Sequence, residues 1–374
     1  MKTDSPYQEK LNRVIKGLQQ TDMDALLLNR VSNISYLTGV VNSCSWVFIS
    51  REGKVVALVM DSDVETYHEE SVIDDIRPFR MHDPINIFRK LVKEIGFPNQ
   101  KLGLELGSPG LPQHTMAVLR HAFPENIQFV NGETIIEEIR VIKTEQEIES
   151  INKAVEIAEL GMEVAIKNIR IGVRESDIAL EAEYAMRKAG GRITTMNYLA
   201  SGKRSCIAHH TPTHKTIEEG EIVAIDIHGG YLGYCADLAR TVVCGRVEQN
   251  ISEGYNCLTR AQEKTIEACR KGTTLIDIKK IFYQELNKAK NLKFLTGPVI
   301  HGVGIMNFEM PFFTFPYDTK GKPEVLDTNM VVAISNIGLY SNDGWGLRLE
   351  DTIRVTDAEP EYLTHFSKDL VSCR

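Results

Sequence analysis

The stretch Glu221-Ile222-Val223-Ala224-Ile225-Asp226-Ile227-His228 alternates large aliphatic side chains with Ala224, Asp226 and His228. Period-two alternation reads as a β-strand with one face toward an apolar core. Val223, Ile225 and Ile227 form that face, so Asp226 projects from the other. Three later segments also place polar groups inside apolar strands. They are Gly233-Tyr-Cys-Ala-Asp237-Leu-Ala-Arg240-Thr241, Ile300-His301-Gly302-Val303-Gly304 and Gly346-Leu-Arg348-Leu-Glu350-Asp351-Thr352. In the last, Leu347, Leu349, Asp351 and Ile353 face one way, and Arg348, Glu350 and Thr352 the other.

Alone, a strand Asp reads as a turn or solvent-face residue, and a strand His as a hydrogen-bonded core residue. Buried ionised carboxylates are costly, however. Two aspartates, a histidine and a glutamate on strands of one domain are accounted for together by a shared divalent cation. Oxygen donors with one imidazole suit Mn, Fe, Co or Zn better than Ca or Cu(I). The hairpin supplies a geometric condition. A two-residue turn at Gly229-Gly230 would leave Asp226 and Asp237 four residues out of step, ~13 Å apart. A shared cation therefore requires a longer or bulged connection that brings the two aspartates level.

Outward from these strands, Thr144-Glu145-Gln146-Glu147 is a capping box. Ile148, Ile151, Val155, Ala158, Met162 and Ala165 follow at helical spacing. A second helix points Ile178, Ala182, Ala185 and Ala189 inward and stops at Gly190-Gly191, where positive φ is tolerated. A third starts at an Asn250/Glu253 box, and a fourth spans 275–289. Strand pairs occupy 221–245, 299–309 and 330–356. This half is α+β, with one curved antiparallel sheet as its platform. Residues 1 to about 140 alternate helix and strand. Helices are expected at Lys10–Gln20 and from Asp83-Pro84, strands at Asp24–Asn29, Trp46–Ser50 and Val55–Met60. That half is a smaller α/β domain without a dinucleotide fingerprint.

The 374 residues carry 43 basic and 51 acidic side chains, a net charge of −8. With 43% apolar and 25% charged residues, the chain is globular, not disordered or collagenous. The acidic excess argues against nucleic-acid partners and anionic membranes. No apolar run approaches the ~18 residues of a membrane span, and MKTDSPYQEKLNR has no signal-peptide core. A cytoplasmic location is expected. Seven cysteines without a C-x-x-C read as reduced packing thiols.

The set of motifs resembles the creatinase/prolidase/methionine aminopeptidase family, and the resemblance covers nearly the whole chain. Asn33-Ile-Ser-Tyr-Leu-Thr-Gly39 is similar to its N-domain signature, and Arg140-Val-Ile-Lys143-Thr-Glu-Gln-Glu147 to its domain junction. Ile217-Glu-Glu-Gly220 through Asp226, Asp237-Leu-Ala-Arg240-Thr241, His301-Gly-Val-Gly304 and Arg348-Leu-Glu350-Asp351-Thr352 are similar to its metal-binding segments. Ala208-His209 with Pro212-Thr213 is similar to its active-site histidine segment. The resemblance implies a creatinase-like N-terminal α/β domain over 1–142 and a catalytic α+β domain of pita-bread fold over 143–374. It implies Asp226, Asp237, His301 and Glu350 as metal ligands, with Asp237 and Glu350 bridging two ions. It also implies His209 at the substrate, Arg348 orienting the site, and a homodimer.

Departures from the pattern limit that inference. The peptidases' Ile-Glu-Pro-Gly ligand segment is Ile334-Ser335-Asn336-Ile337-Gly338 here, which puts Ser335 at the ligand position. A hydroxyl is a weak ligand, so one of the two ion sites, the one including His301, is expected to be weakened, leaving one or two ions. Phe308 and Gly297 stand where the peptidases carry histidines, while Glu309 and Pro311 persist. His228, two residues from Asp226 and ~6–7 Å along the same strand face, either replaces a missing imidazole as ligand or proton shuttle, or is a hydrogen-bonded strand histidine. His210 and His214 stay undecided, in a loop enforced by Pro212.

The first expectation is a metal-dependent C–N hydrolase resembling Xaa-Pro dipeptidase or aminopeptidase P, acting on small peptides. The alternative is a creatinase- or ectoine-hydrolase-like enzyme on a small non-peptide C–N substrate. A third possibility is a non-catalytic pita-bread binding protein.

Overall fold

The structure is a computed structural model. It describes residues 6–41, 45–80, 84–107, 111–192, 197–288, 292–294, 299–312, 325–334, 338–341 and 344–373. The chain divides into two compact units, Met1–Arg140 and Val141–Arg374.

The first unit is built on a six-stranded mixed sheet. Its strands are β1 (Ala25–Leu28), β2 (Ser45–Ser50), β3 (Val55–Met60), β4 (Ile76–Phe79), β5 (Lys101–Leu104) and β6 (Gln128–Asn131), in the order β4-β3-β2-β1-β5-β6. Helices α1 (Pro6–Gln19), α2 (Val31–Thr38), α3 (Val64–Glu70), α4 (Pro84–Ile95), α5 (Gln113–Ala122) and α6 (Glu133–Val141) accompany it. Leu27, Phe48, Leu58, Phe88 and Leu119 share one of its cores. The Asn33–Gly39 signature has a structural cause. Buried Glu105 accepts from the Asn29 and Arg30 backbone N–H groups and from Asn33 Nδ2, so a carboxylate closes the N-terminus of α2. Asp83 lies outside the described residues.

The second unit opens with α7 (Glu145–Asn168) and α8 (Glu175–Lys188). Both partners of the expected capping box are made at the start of α7, with Thr144 Oγ1 accepting from Glu147 N and Glu147 Oε2 from Thr144 N. The stripe from Ile148 to Ala165 is buried against Val223, Ile225 and Ile227. In α8 the inward set is Ile178, Ala182 and Met186. Ala189 is exposed rather than inward, because the helix ends at Lys188 and Ala189 is its cap, with Gly190 beyond it at φ +90°.

Strands β7 (Tyr198–Ser201), β8 (Ile222–Tyr231) and β9 (Tyr234–Cys244) form an antiparallel sheet beneath these helices. Helices α9 (Gln249–Glu267) and α10 (Leu275–Leu286) follow. Glu248, not Asn250, sits at the α9 cap, and Glu253 bonds Gln249 instead of closing a box. Strand β10 (Leu292–Phe294) pairs with β14 (Leu339–Ser341), which pairs with β15 (Gly346–Leu347). Strands β11 (Ile300–Gly302), β12 (Glu309–Phe312), β13 (Val331–Ile334), β16 (Asp351–Arg354) and β17 (Glu361–Tyr362) make a five-stranded antiparallel sheet. Strand β18 (Val371–Cys373) joins β9 in parallel. The antiparallel platform is thus assembled from separate ladders. Antiparallel bonds between Ala239 and Glu350 bridge β9 to the segment entering β16. Leu258, Ile278 and Phe282 pack with Val332, Leu347, Leu349 and Ile353 in a second core.

The β8–β9 hairpin corrects the expected connection. There is no bulge. The turn is Leu232-Gly233, both at positive φ (47° and 87°), a type I′ geometry that suits the strand twist. The ladder runs unbroken, with Asp226 opposite Ala239 and His228 opposite Asp237. Gly229 and Gly230 therefore lie within β8. A Cβ on Gly229 would stand 2.0 Å from the Ala154 carbonyl oxygen of α7, so glycine is there for helix–sheet approach, not for turning. Gly229→Ala is expected to destabilise the protein by about 3 kcal/mol or more. Urea unfolding of the variant checks this, and an unchanged midpoint would contradict the tight α7–β8 contact.

Candidate metal centre

Asp226 and His228 leave β8 on the face opposite its aliphatic row, and Asp237 leaves β9 directly across from His228. The two aspartates are two residues out of step, which makes them diagonal neighbours on one sheet face. Glu350 is brought in by its backbone bonds to Ala239, the residue that also faces Asp226. Thr352 extends this stitch: its hydroxyl donates to Asp237 O at 2.8 Å and accepts from Asp237 N. His301 arrives on β11, and its Nε2 lies 3.2 Å from Glu350 Oε1 and 3.7 Å from Asp237 Oδ2. All five side chains are buried. Their donor atoms form two overlapping groups, Asp226–His228–Asp237 and Asp237–His301–Glu350.

Arg348 is the cation nearest this acid cluster among the ion pairs of the described residues. One guanidinium nitrogen is 2.8 Å from Asp226 Oδ2 and the other 3.4 Å from Glu350 Oε2. Burial alone would raise Asp226, but Arg348, then His228, outweigh it and hold the carboxyl below its usual range. Asp237 and Glu350 behave oppositely. Burial, then the Glu350 charge, pushes Asp237 up to about 8. Burial, then the Asp226 charge, does the same to Glu350. With all three carboxylates ionised, Arg348 leaves a local surplus of two negative charges.

The donor set fits a divalent cation. Asp226 Oδ1 and Asp237 Oδ1 are buried and accept no hydrogen bond among the described residues, and each lies 3.5 Å from the His228 Nε2. His301 Nδ1 faces the Gly302 carbonyl at 3.1 Å. A carbonyl only accepts, so Nδ1 carries the hydrogen and a neutral ring aims its Nε2 lone pair at Glu350. A lone pair against a carboxylate oxygen repels unless a proton or a cation lies between them. Burial also holds the His301 imidazole below its ordinary value.

The remaining expected residues fall in different places. His209 is exposed at the rim, with its ring centroid 5.3 Å from that of Tyr198. Tyr198 also packs edge-on against His228 and so links the rim to the cluster. Partial burial, then the Arg348 charge, lowers His209, which leaves it neutral at pH 7. Arg348 donates to the Ala208 carbonyl at 2.6 Å, tying the His209 loop to the carboxylates. Glu309 belongs to neither ligand group. Its Oε1 is 2.9 Å from Lys143 Nζ, in a buried ion pair. Phe308 stacks on His301 with centroids 4.6 Å apart. His214 bonds Ser176. Ser335 and Gly297 lie outside the described residues.

Several contributors were not singled out from the sequence. Asn307 Nδ2 donates to Asp237 Oδ2 at 2.9 Å. Asn197 Oδ1 accepts from His228 N and fixes that stretch of β8. Glu175 organises the loop that carries His209. Its carboxylate accepts from Ser201 N and Oγ, from Thr213 N and Oγ1, and from Arg204. An acid in the first turn of a helix also favours the helix dipole, which hides this role. Asn197 and Tyr198 flank an apolar strand and carry no pattern of their own.

The Metallopeptidase family M24 profile matches residues 149–357, more than half of the chain, and the Creatinase/Prolidase N-terminal domain profile matches 10–142. A Xaa-Pro dipeptidase of Pyrococcus furiosus is 28% identical over 365 residues, 97% of this chain and 99% of the relative. The solved Xaa-Pro dipeptidase from Bacillus anthracis aligns with a TM-score of 0.87 at 27% identity, covering 98% of this chain and 99% of that one. The prolidase from Pyrococcus horikoshii OT3 gives 0.86 at 28%, covering 97% and 100%. This chain belongs to metallopeptidase family M24, with a creatinase-type N-terminal domain and a pita-bread catalytic domain. It is a hydrolase of that family, which implies a divalent metal cofactor. No helix among the described residues is long and apolar enough to cross a membrane.

Glu175→Gln is expected to cost about 1–3 kcal/mol at pH 7, because an amide cannot accept from all these donors. Burial would raise the Glu175 carboxyl, but the Ser201 and Thr213 bonds bring it below its ordinary 4.5. A lowered carboxyl adds stability that is present above the unfolded-state value and is lost as pH falls through the folded-state value. The gap between wild type and variant in urea should therefore narrow below about pH 4.5. A gap that stays constant into strong acid would show that the charge on Glu175 is not what holds the loop.

Proposed function

We propose that this protein hydrolyses the C–N bond of Xaa-Pro dipeptides or closely related small peptides. The observation that carries the reading is the buried convergence of Asp226, Asp237, Glu350 and His301 with lone pairs facing one another. Asp226, Asp237, His301 and Glu350 are the residues that would hold the metal, Mn, Fe, Co or Zn by donor type. A divalent cation there would supply Lewis acidity toward a carbonyl oxygen and acidify a water molecule toward a neutral pKa. Arg348 keeps Asp226 ionised and aims both Asp226 and Glu350. Neutral His209 presents a ring nitrogen at the rim, where it can donate to a developing oxyanion or to the leaving nitrogen. Glu309, held by Lys143, positions the 306–309 turn by accepting from Met306 N.

A single full-affinity ion is our reading of the charge balance. The surplus of two negative charges left by Arg348 is neutralised by one divalent ion. Counted from Ile334, Ser335 takes the place of the peptidases' additional glutamate; counted back from Gly338, Asn336 does. Neither is a carboxylate. A homodimer, a cytoplasmic location and a domain boundary between 142 and 143 complete the proposal, on the strength of the family.

Phe308 favours a second reading, hydrolysis of a small non-peptide C–N substrate. It replaces a proton-carrying group with an aromatic face stacked on His301. Hydrolysis of a panel of Xaa-Pro dipeptides and of small amidines and lactams, after chelation and after return of each cation, separates the two. Cleavage of Xaa-Pro dipeptides is expected, lost on chelation and recovered on metal return, with Asp237→Asn lowering kcat at least ~100-fold. Turnover of the small C–N compounds alone would overturn the peptidase reading. Turnover unaffected by chelation would overturn the metal reading.

A further inference from the structure

Building on the metal reading above, we propose that His228 is itself a ligand. Through Nε2 it joins Asp226 and Asp237 around one cation and makes that group the tighter of the two.

The geometry is specific. His228 Nε2 lies 3.5 Å from Asp226 Oδ1 and 3.5 Å from Asp237 Oδ1. Those are the same two oxygens that are buried and accept no hydrogen bond. At 3.5 Å an imidazole–carboxylate contact is long for a charge-assisted hydrogen bond, which closes to about 2.7–2.9 Å. It is close to the separation of neighbouring donors around a tetrahedral ion with bonds of ~2.0–2.2 Å, roughly 3.3–3.6 Å on an edge. Nitrogen and both oxygens therefore lie within reach of a single cation.

The ring is also held in that aim. The backbone N–H of His228 is bonded to Asn197 Oδ1 at 2.8 Å. The residue is locked opposite Asp237 by the unbroken hairpin ladder. The Tyr198 ring stands edge-on to it, 5.6 Å away at 89°. An imidazole adds a strong nitrogen donor without adding charge, so it offsets the carboxylate missing at 335 or 336 while one divalent ion still balances the site. The competing arrangement is a protonated His228 that acts as a resident cation between the aspartates.

Cobalt(II) titration of the metal-stripped full-length protein tests this by calorimetry and by visible absorption. Wild type should bind one Co²⁺ tightly. His228→Ala should weaken that site at least tenfold and shift its absorption, because a nitrogen ligand is lost. Imidazole added to His228→Gly should restore the spectrum. If His228→Ala does not fold, as judged by circular dichroism, His228→Gln carries the same expectation. Unchanged or tighter Co²⁺ binding with an unchanged spectrum in a folded variant would overturn the proposal, since removing a resident cation frees the carboxylates. Asp237→Asn separates the two readings. Its loss of Co²⁺ alongside an unaffected His228→Ala would leave the metal reading standing and this inference refuted. A wild type that takes up no cation would refute both.

Discussion

Like charges gathered away from water govern this molecule. Three carboxylates converge in a buried pocket beside one guanidinium. With donor atoms within 4.8 Å of one another, such groups repel strongly whenever the local dielectric is low. The fold tolerates the arrangement only because something positive is drawn in, a proton on Asp237 or Glu350 or a divalent ion. The raised values of these two groups express the first solution, and the lone pairs facing inward express the second. Folding and cation uptake are therefore linked free energies: whatever occupies the pocket also stabilises the two sheets around it.

The frame that enforces this convergence is backbone, not side chain. Asp226, Ala239 and Glu350 line up across three neighbouring segments, and Thr352 ties Asp237 to the same seam. The aliphatic faces of β8 and of the 346–354 segment are turned into two separate cores. The acidic faces consequently have nowhere to relax. Arg348 adds a second service by linking the carboxylates to the Ala208 carbonyl, so the rim histidine is registered against the buried cluster. Glu175 secures the same loop from its other side through Ser201 and Thr213.

Much of this was legible in the sequence because period-two alternation reports which way a strand residue points. It separated Asp226 from its aliphatic neighbours, and Glu350 from Leu349, correctly. The capping box at Thr144 and the buried stripe of α7 were legible for the same local reason. What misled was glycine. Gly229-Gly230 has turn composition, yet α7 crowds β8 there and the turn falls on Leu232-Gly233, where Leu232 adopts positive φ under the demand of the hairpin. A residue of low turn preference was overridden by tertiary register. In α8, alanines gave no size contrast, and Met186 rather than Ala189 proved to be inward. Glu175 and Asn307 were invisible because their partners, the 213 loop for the one and Asp237 of β9 for the other, are brought near only by the folded chain.

The unbroken ladder between the two aspartates behaves as a ruler. With a two-residue turn and no bulge to absorb slack, the number of positions from 226 to 237 fixes which groups meet. Outside the crowded Gly229, substitutions along the interval leave that register unchanged. Adding or deleting one residue there would rotate every later side chain of β9 to the opposite face, throwing Asp237 into the aliphatic core and Leu238 into the acid pocket. Variation in related chains should therefore be nearly frozen in length across this interval, while composition can drift at positions other than His228, Gly229 and Gly233.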